Sequence, residues 1–156
     1  MKKILAAAAL TLAATAAIAQ VPSYGPSITL EQARKMMVAA QAEAVKNKWP
    51  VAIAILDTSG MLVAYEKMDD TQTASVEVAI DKGRSAVIFR RSTKVFEDIV
   101  ASGPAGARIL GLKGAVPIEG GLPIIVNGKV IGGIGVSGVT SPQDGVVAKA
   151  GTDALK

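Results

Sequence analysis

The chain has 156 residues, half of them apolar but only 3% aromatic, and it contains neither cysteine nor histidine. These absences exclude a disulfide framework, histidine-ligated metals and nucleophilic catalysis of the serine–histidine and cysteine–histidine types. The formal net charge is +4, falling to +2 without Lys2 and Lys3. Because there is no long basic run and few aromatic residues to stack on bases, nucleic acid is not an expected partner.

The first nineteen residues have the three parts of a secretory signal peptide. Lys2 and Lys3 precede an apolar run, residues 4–18, and Ala17 and Ala19 are the small residues expected before a cleavage site. The run is shorter than the ~20 residues that a membrane-spanning helix needs. We therefore predict cleavage after Ala19, a periplasmic or secreted mature protein, and no membrane association after cleavage.

The mature chain is predicted to begin with an arm and a helix. Residues 20–28 contain two prolines and a glycine, which predicts a flexible arm. Thr29 and Gln32 have the spacing of a capping box, in which each side chain bonds a backbone amide of the other residue. Apolar residues then recur every three or four positions, which predicts a helix ending near Asn47.

A hairpin and a long helix are predicted next. Two apolar runs of strand length, 51–56 and 61–66, flank the turn-forming residues 57–60, which predicts an antiparallel pair of strands. Within it, Asp57 is assigned to the turn. The apolar stripe that follows predicts a helix over residues 73–90.

The second half of the chain contains the clearest hairpin signal. A short helix is predicted at 92–101 and a strand at 115–118. Asn-Gly at 127–128 lies between two apolar runs, 122–126 and 129–136, and both residues tolerate the positive φ of a type I′ turn.

A final helix is predicted from Ser141 as the N-cap, with Pro142 at its first position and Asp144 as a capping acid in its first turn. The order of elements predicts a single domain over residues 29–156. Its fold class is α+β, with an approximately five-stranded, mostly antiparallel sheet and packed helices.

The segment 133–138 matches the pattern G-x-G-x-x-G. A dinucleotide site requires this pattern between a strand and a helix of a parallel unit, whereas here it lies inside a predicted hairpin strand. We therefore predict that the glycines permit close approach of a helix or a ligand.

The segment Glu119–Pro123 is the first candidate site. Successive amides at Gly120 and Gly121 can point into one hollow that holds a carboxylate, and Glu119 can act as an acid, a base or a metal ligand. The alternative is a sharp turn with a solvated glutamate. The residues themselves leave both interpretations open.

Lys82 and Arg84 on the long helix are the candidate cations. They point about 200° apart, since each helical residue turns by about 100°, so only one of them can face a given pocket. Lys82 has small and apolar neighbours that favour a role as a base or amine nucleophile. The alternative is an alkyl stem packed on the core with its ammonium in water.

Several of these motifs, in the same order and spacing, resemble the GlcG/HbpS-like haem-binding and haem-degrading proteins, a family related to the C-terminal domain of PduO. The matching segments are residues 29–33, 54–60, 79–86, 89–93, 120–124, 131–138 and 143–144. The resemblance implies a profilin-like α+β domain that assembles into dimers, tetramers or octamers and binds haem or another small organic ligand. It also strengthens Lys82, Gly120, Gly121 and Pro123 as ligand-binding candidates, since they lie in these segments. Arg84 remains a ligand-binding candidate because of its charge.

Haem bound by this chain cannot have histidine ligation. Tyr24, Tyr65 and the methionines are the remaining candidate iron ligands apart from weak hydroxyl ligands, and none lies in a recognisable motif. Contacts to the haem propionates alone are the other option.

The leading hypothesis is a periplasmic protein that binds haem, another tetrapyrrole or a similar organic anion between subunits, with no metal site of its own. One alternative is an enzyme acting on a small carboxylate or carbonyl compound, with Glu119 and Lys82 transferring protons. Another is a structural subunit that binds no ligand.

Overall fold

The computed structural model describes residues 21–156, so the predicted signal peptide lies outside the described residues. The elements in chain order are helix α1 (Leu30–Asn47), strands β1 (Ala52–Leu56) and β2 (Leu62–Lys67), helices α2 (Ser75–Phe89) and α3 (Thr93–Ala101), a 3₁₀ helix (Pro104–Gly111), strands β3 (Gly121–Val126) and β4 (Lys129–Ser137), and helix α4 (Ser141–Asp153). The strands form one antiparallel sheet in the order β2-β1-β4-β3. The predicted α+β class is confirmed.

The sheet has four strands in the described residues because the fifth predicted strand, at 115–118, does not form. The Val116 amide donates to the Ser85 hydroxyl of α2 at 3.0 Å instead of to a neighbouring strand. Pro117, the next residue, has no amide hydrogen to donate. This segment therefore crosses α2 as irregular chain.

Helices cover both faces of the sheet. Every residue of β1 is buried, which is typical of a strand enclosed on both sides. The main hydrophobic core lies between the sheet and the helices α1 and α4. It contains Met36, Ile53, Ile55, Ile124, Ile134, Val136 and Val147.

Helix α2 packs very close to β4 on the other face. A Cβ atom on Gly135 would lie 2.0 Å from the Ala79 carbonyl oxygen, and one on Gly133 would lie 2.5 Å from that of Gly83. Both contacts are shorter than van der Waals distance, so only glycine fits. The predicted close approach of a helix to segment 133–138 is confirmed.

The turns follow the sequence closely. Asn127 and Gly128 have φ values of 50° and 73°, as the type I′ hairpin requires. The Asp57 carboxylate accepts from the amides of Ser59 and Met61 at 2.8 and 3.0 Å. The turn role of Asp57 is thus confirmed.

The cap of α4 differs from the prediction by one residue. The N-cap is Thr140, which forms a capping box with Gln143, so the predicted N-cap Ser141 is already the first helical residue. Asp144 lies in the first turn, as predicted, and its carboxylate accepts from the Val139 amide at 3.3 Å. It also has a buried partner, described below, that the prediction did not include.

The segment before α1 is packed against the domain. Tyr24 forms an isolated parallel bridge with Val130, the Gly25 amide donates to the Val130 carbonyl at 2.9 Å, and Ile28 is buried. The segment predicted as a flexible arm thus has specific contacts. In the part of the chain that the structure describes, no helix has the length and apolar character that a membrane crossing requires.

Candidate functional site

A cleft of about 470 Å³ follows the outer edge of β3. This volume lies within the range of small-molecule sites, roughly 300–1,000 Å³. The lining combines an apolar strand edge with charged and hydroxyl side chains. The residues of this edge cleft are Ser92, Glu119, Leu122, Pro123, Ile125, Gly145, Lys149, Thr152 and Lys156.

The floor of the edge cleft is the free side of β3. Strand β3 pairs with β4 alone in the described sheet, so its other side faces the cleft. Pro123 lies at the middle of this edge. It has no amide hydrogen to donate, but at an edge position no hydrogen bond between strands is lost. Ile125 is 42% exposed, and with Leu122 and Pro123 it gives the floor an apolar surface.

Two lysines of the C-terminal part of the chain form one wall. The ammonium groups of Lys149 and Lys156 both donate to the carboxylate of Asp153. These hydrogen bonds lower the pKa of Asp153, so the carboxylate is ionised at neutral pH and holds the two cations near each other. Each ammonium has three donors and uses one on Asp153. Donors therefore remain for a ligand.

Glu119 also lines the cleft, beside helix α4. Its backbone amide donates to the Glu97 carboxylate at 2.6 Å, and its own carboxylate packs against the backbone of α4. A Cβ atom on Gly145 would lie 2.6 Å from Glu119 Oε1, so the glycine provides the space that the carboxylate occupies. The predicted site residues Glu119 and Pro123 thus line one cleft.

Lys82 lies behind this cleft and is not part of its surface. Only 1% of Lys82 is exposed. Its ammonium forms an ion pair with Asp144 Oδ2 at 2.8 Å and donates to the Val136 carbonyl oxygen at 3.1 Å. Neither sequence-based interpretation of Lys82, as a ligand-facing cation or as an ammonium in water, describes this internal pair.

Asp144 is buried with Lys82. Burial raises the pKa of the Asp144 carboxyl, although the Lys82 ammonium and the backbone amides of Val139 and Gly138 lower it. The pair joins α2 to the first turn of α4. The role of the ion pair is therefore to hold the two helices together across β4. Gly145, the residue after Asp144, forms part of the cleft wall.

The predicted hollow at the glycine pair is filled by the protein itself. A Cβ atom on Gly120 would lie 2.8 Å from Lys82 Nζ, and one on Gly121 would lie 2.3 Å from the Lys82 carbonyl oxygen. The Gly121 amide donates to the Thr93 hydroxyl at 2.9 Å. The glycines are thus close to Lys82, as expected, but they allow tight packing instead of forming an open anion site.

Arg84 lies elsewhere on α2. It is exposed, pairs with Asp81 at 2.9 Å and donates to the Gly60 carbonyl oxygen at 3.3 Å. Arg84 and Lys82 point to different sides of the helix, as the 200° separation predicts. Arg84 does not line the edge cleft.

The carboxylates near the cleft do not form a metal centre. Among residues 21–156, no three carboxylate side chains converge in a way that would hold a metal ion. Glu119 has Glu97 as a neighbour, but two carboxylates without a third ligand do not define a site.

The fold places the chain in the class of α+β domains built on a four-stranded antiparallel sheet with helices on both faces. A family model described as "Haem degrading protein HbpS-like" matches residues 28–153. The chain therefore belongs to the HbpS-like family.

Individual relatives agree with this assignment. Protein GlcG of Escherichia coli K12 is 38% identical over 110 residues, which cover 70% of this chain and 81% of GlcG. A double mutant of Streptomyces reticuli HbpS has a TM-score of 0.76 and 26% identity, and the match covers 100% of this chain and 99% of that one. The crystal structure of a PduOC–haem complex has a TM-score of 0.76 and 26% identity, covering 83% of this chain and 96% of that one.

Sequence patterns do not reveal the cations of the edge cleft or the partner of Lys82. Lys149 and Lys156 are exposed lysines at the C-terminal end of the chain, and no motif distinguishes them from solvated lysines. Asp144 is separated from Lys82 by 62 residues. Their pairing depends on how α4 packs on the sheet, which a single sequence does not encode locally.

Proposed function

We propose that this protein binds haem, another tetrapyrrole or a similar organic anion in the edge cleft. The observation that carries the proposal is the combination of an apolar strand edge, at Leu122, Pro123 and Ile125, with the paired ammonium groups of Lys149 and Lys156. A flat apolar ring system with carboxylates at one end has the complementary arrangement. The haem complex of the related PduOC domain supports the choice of ligand class.

The parts of haem fit the cleft unequally. The apolar floor suits the macrocycle, and Lys149 and Lys156 suit the two propionates, since charge-assisted hydrogen bonds are stronger than neutral ones. No histidine, cysteine, methionine or tyrosine side chain lines the cleft to ligate the iron. Glu119 opposes anion binding with its own negative charge. Haem, when bound, would supply redox chemistry at its iron, while this chain supplies the apolar surface and the cations.

We further propose that a second copy of the chain covers the ligand. The edge cleft lies at the surface, so a planar ligand on β3 keeps one face uncovered. Ile118 and Ile125, 46% and 42% exposed, supply apolar surface beside this site for a subunit contact. Self-association in the periplasm or outside the cell, after removal of the signal peptide, completes the proposal.

A haemin titration followed by Soret absorbance tests the function. Wild-type protein is compared with the Lys149→Ala/Lys156→Ala double variant. The matched control is Lys46→Ala, whose side chain is 71% exposed and pairs with Glu43 on α1, much as Lys156, 68% exposed, pairs with Asp153.

We expect saturable binding by the wild type. At about 0.5–1 kcal/mol for each exposed charged contact, the double variant should bind roughly 5- to 30-fold more weakly, and the control within twofold of wild type. Absence of saturable binding by the wild type would refute the function. Equal binding by the double variant and the wild type would show that the lysines of the edge cleft do not hold the ligand.

A further inference from the structure

We infer that the edge cleft recognises the porphyrin ring and its carboxylates and does not recognise the iron, so that iron-free porphyrin binds about as tightly as haemin. This inference rests on the proposed function and concerns the same cleft. It follows from where the side chains able to ligate iron lie in the fold.

The edge cleft lacks the strong haem ligands. Haem iron in proteins is held by histidine, cysteine, methionine or tyrosine, and this sequence has no histidine or cysteine. The lining of the edge cleft contains no methionine or tyrosine. Its iron-ligating atoms are limited to the weak hydroxyls of Ser92 and Thr152, the Glu119 carboxylate, and lysine amines that are occupied as ammonium donors.

Both tyrosine hydroxyls lie away from the edge cleft. The Tyr24 hydroxyl donates to the carbonyl oxygens of Val87 and Ile88 at 2.9 and 3.1 Å. Tyr65 lies on β2, and its ring packs against the small apolar cluster between the sheet and α2. Its hydroxyl is buried, without a hydrogen-bond partner among the described residues. Neither hydroxyl faces the edge cleft.

The methionine side chains do not line the edge cleft either. Met36 and Met37 are buried in the core on α1, and Met61 and Met68 flank β2. Strands β2 and β3 are the two opposite edges of the sheet, about 14 Å apart at the usual strand spacing. The fifth methionine, Met1, belongs to the predicted signal peptide.

The two lysines of the edge cleft provide contacts to the carboxylates of the ligand, in a site that lacks a strong iron ligand. Asp153 holds Lys149 and Lys156 at one end of the apolar floor, so two carboxylates of one rigid ligand meet two ammonium groups. Haemin and iron-free protoporphyrin IX carry the same pair of carboxylates on the same ring. The contacts available in the cleft are therefore the same for both.

The test compares three ligands with the wild-type protein. Haemin is titrated by Soret absorbance, and protoporphyrin IX and its dimethyl ester are titrated by porphyrin fluorescence. We expect dissociation constants for haemin and protoporphyrin IX within about fivefold of each other, and binding of the dimethyl ester weakened at least about fivefold. The Lys149→Ala/Lys156→Ala variant should weaken both acids equally, while Lys46→Ala changes neither.

The possible results distinguish this inference from the proposed function. If neither acid binds, the proposed function fails. If haemin binds but protoporphyrin IX binds much more weakly than the expected range, the function stands and the inference is overturned, because an iron ligand contributes. Low-spin bands in the haemin complex would overturn the inference as well. Tight binding of the dimethyl ester would show that the carboxylates do not contribute to recognition, and this too would overturn the inference.

Discussion

A Lys82→Met variant removes the ammonium that lies 2.8 Å from Asp144 Oδ2 while keeping a long unbranched side chain. The Asp144 carboxylate, on a residue only 2% exposed, then loses its buried counter-charge. Breaking a buried ion pair in this way typically costs about 3–5 kcal/mol. For a domain of this size we expect Tm to fall by roughly 10–15 °C.

The loss of stability in Lys82→Met should depend on pH in a defined direction. Burial already raises the pKa of Asp144 above its ordinary value of 3.8, and Lys82 is one of the groups that lower it. Removing Lys82 raises this pKa further. A group whose pKa is higher in the folded state favours folding below that pKa and loses this contribution as pH rises through it. The deficit of Lys82→Met should therefore be largest near neutral pH and shrink in acid.

Urea denaturation of wild type, Lys82→Met, Asp144→Asn and the double variant, at neutral and at mildly acidic pH, measures these effects. The Asp144→Asn variant removes the negative charge and keeps a side-chain oxygen that can accept from the Val139 amide, as the Asp144 carboxylate does. The double variant should cost at least about 2 kcal/mol less than the sum of the single variants.

The matched control is Lys94→Met, which removes an exposed pair with Asp98 and should cost less than about 1 kcal/mol. Additive costs in the cycle, or a loss for Lys82→Met no larger than that of the control, would refute the interpretation of Lys82 as a structural cation.

The packing of α2 on β4, the edge cleft and the predicted signal peptide each give one more prediction. Gly135→Ala should cost at least about 3 kcal/mol of unfolding free energy in urea denaturation, because its Cβ would lie 2.0 Å from the Ala79 carbonyl oxygen. The control Gly111→Ala, with open space around its Cβ, should be nearly neutral. Similar losses of stability in the two variants would contradict the close packing of α2 on β4. Glu119→Gln should strengthen haemin binding about two- to fivefold by removing a like charge, whereas weaker binding would show that the carboxylate contributes favourably. Mass spectrometry of exported protein should find Gln20 at the N-terminus, and an uncleaved chain would contradict the signal peptide.

Much of the fold follows from local sequence patterns. Asn127 and Gly128 set their hairpin by their tolerance of positive φ, and the Asp57 turn and the Thr29 capping box are equally local. The glycines of β4 are interpretable from sequence because their pattern occurs inside a strand. The residues 115–118 have strand composition but lack a neighbouring strand with which to pair, and composition does not show this.

The site is less predictable from sequence. Glu119 and Pro123 belong to the edge cleft because the paired glycines lead into the edge strand. The small and apolar neighbours of Lys82 mark it as unusual, but the same burial that makes it unusual removes it from the ligand surface. The edge-cleft lysines reach the site only because α4 packs beside β3, which is a tertiary contact.

A crystal structure of the protein with bound haemin would locate the ligand and its iron directly. We predict the macrocycle on Leu122, Pro123 and Ile125, with its propionates at Lys149 and Lys156 and no protein side chain within bonding distance of the iron. Haemin at the opposite edge of the sheet, with Tyr65 or a methionine on its iron, would contradict both the proposed site and the proposed mode of recognition.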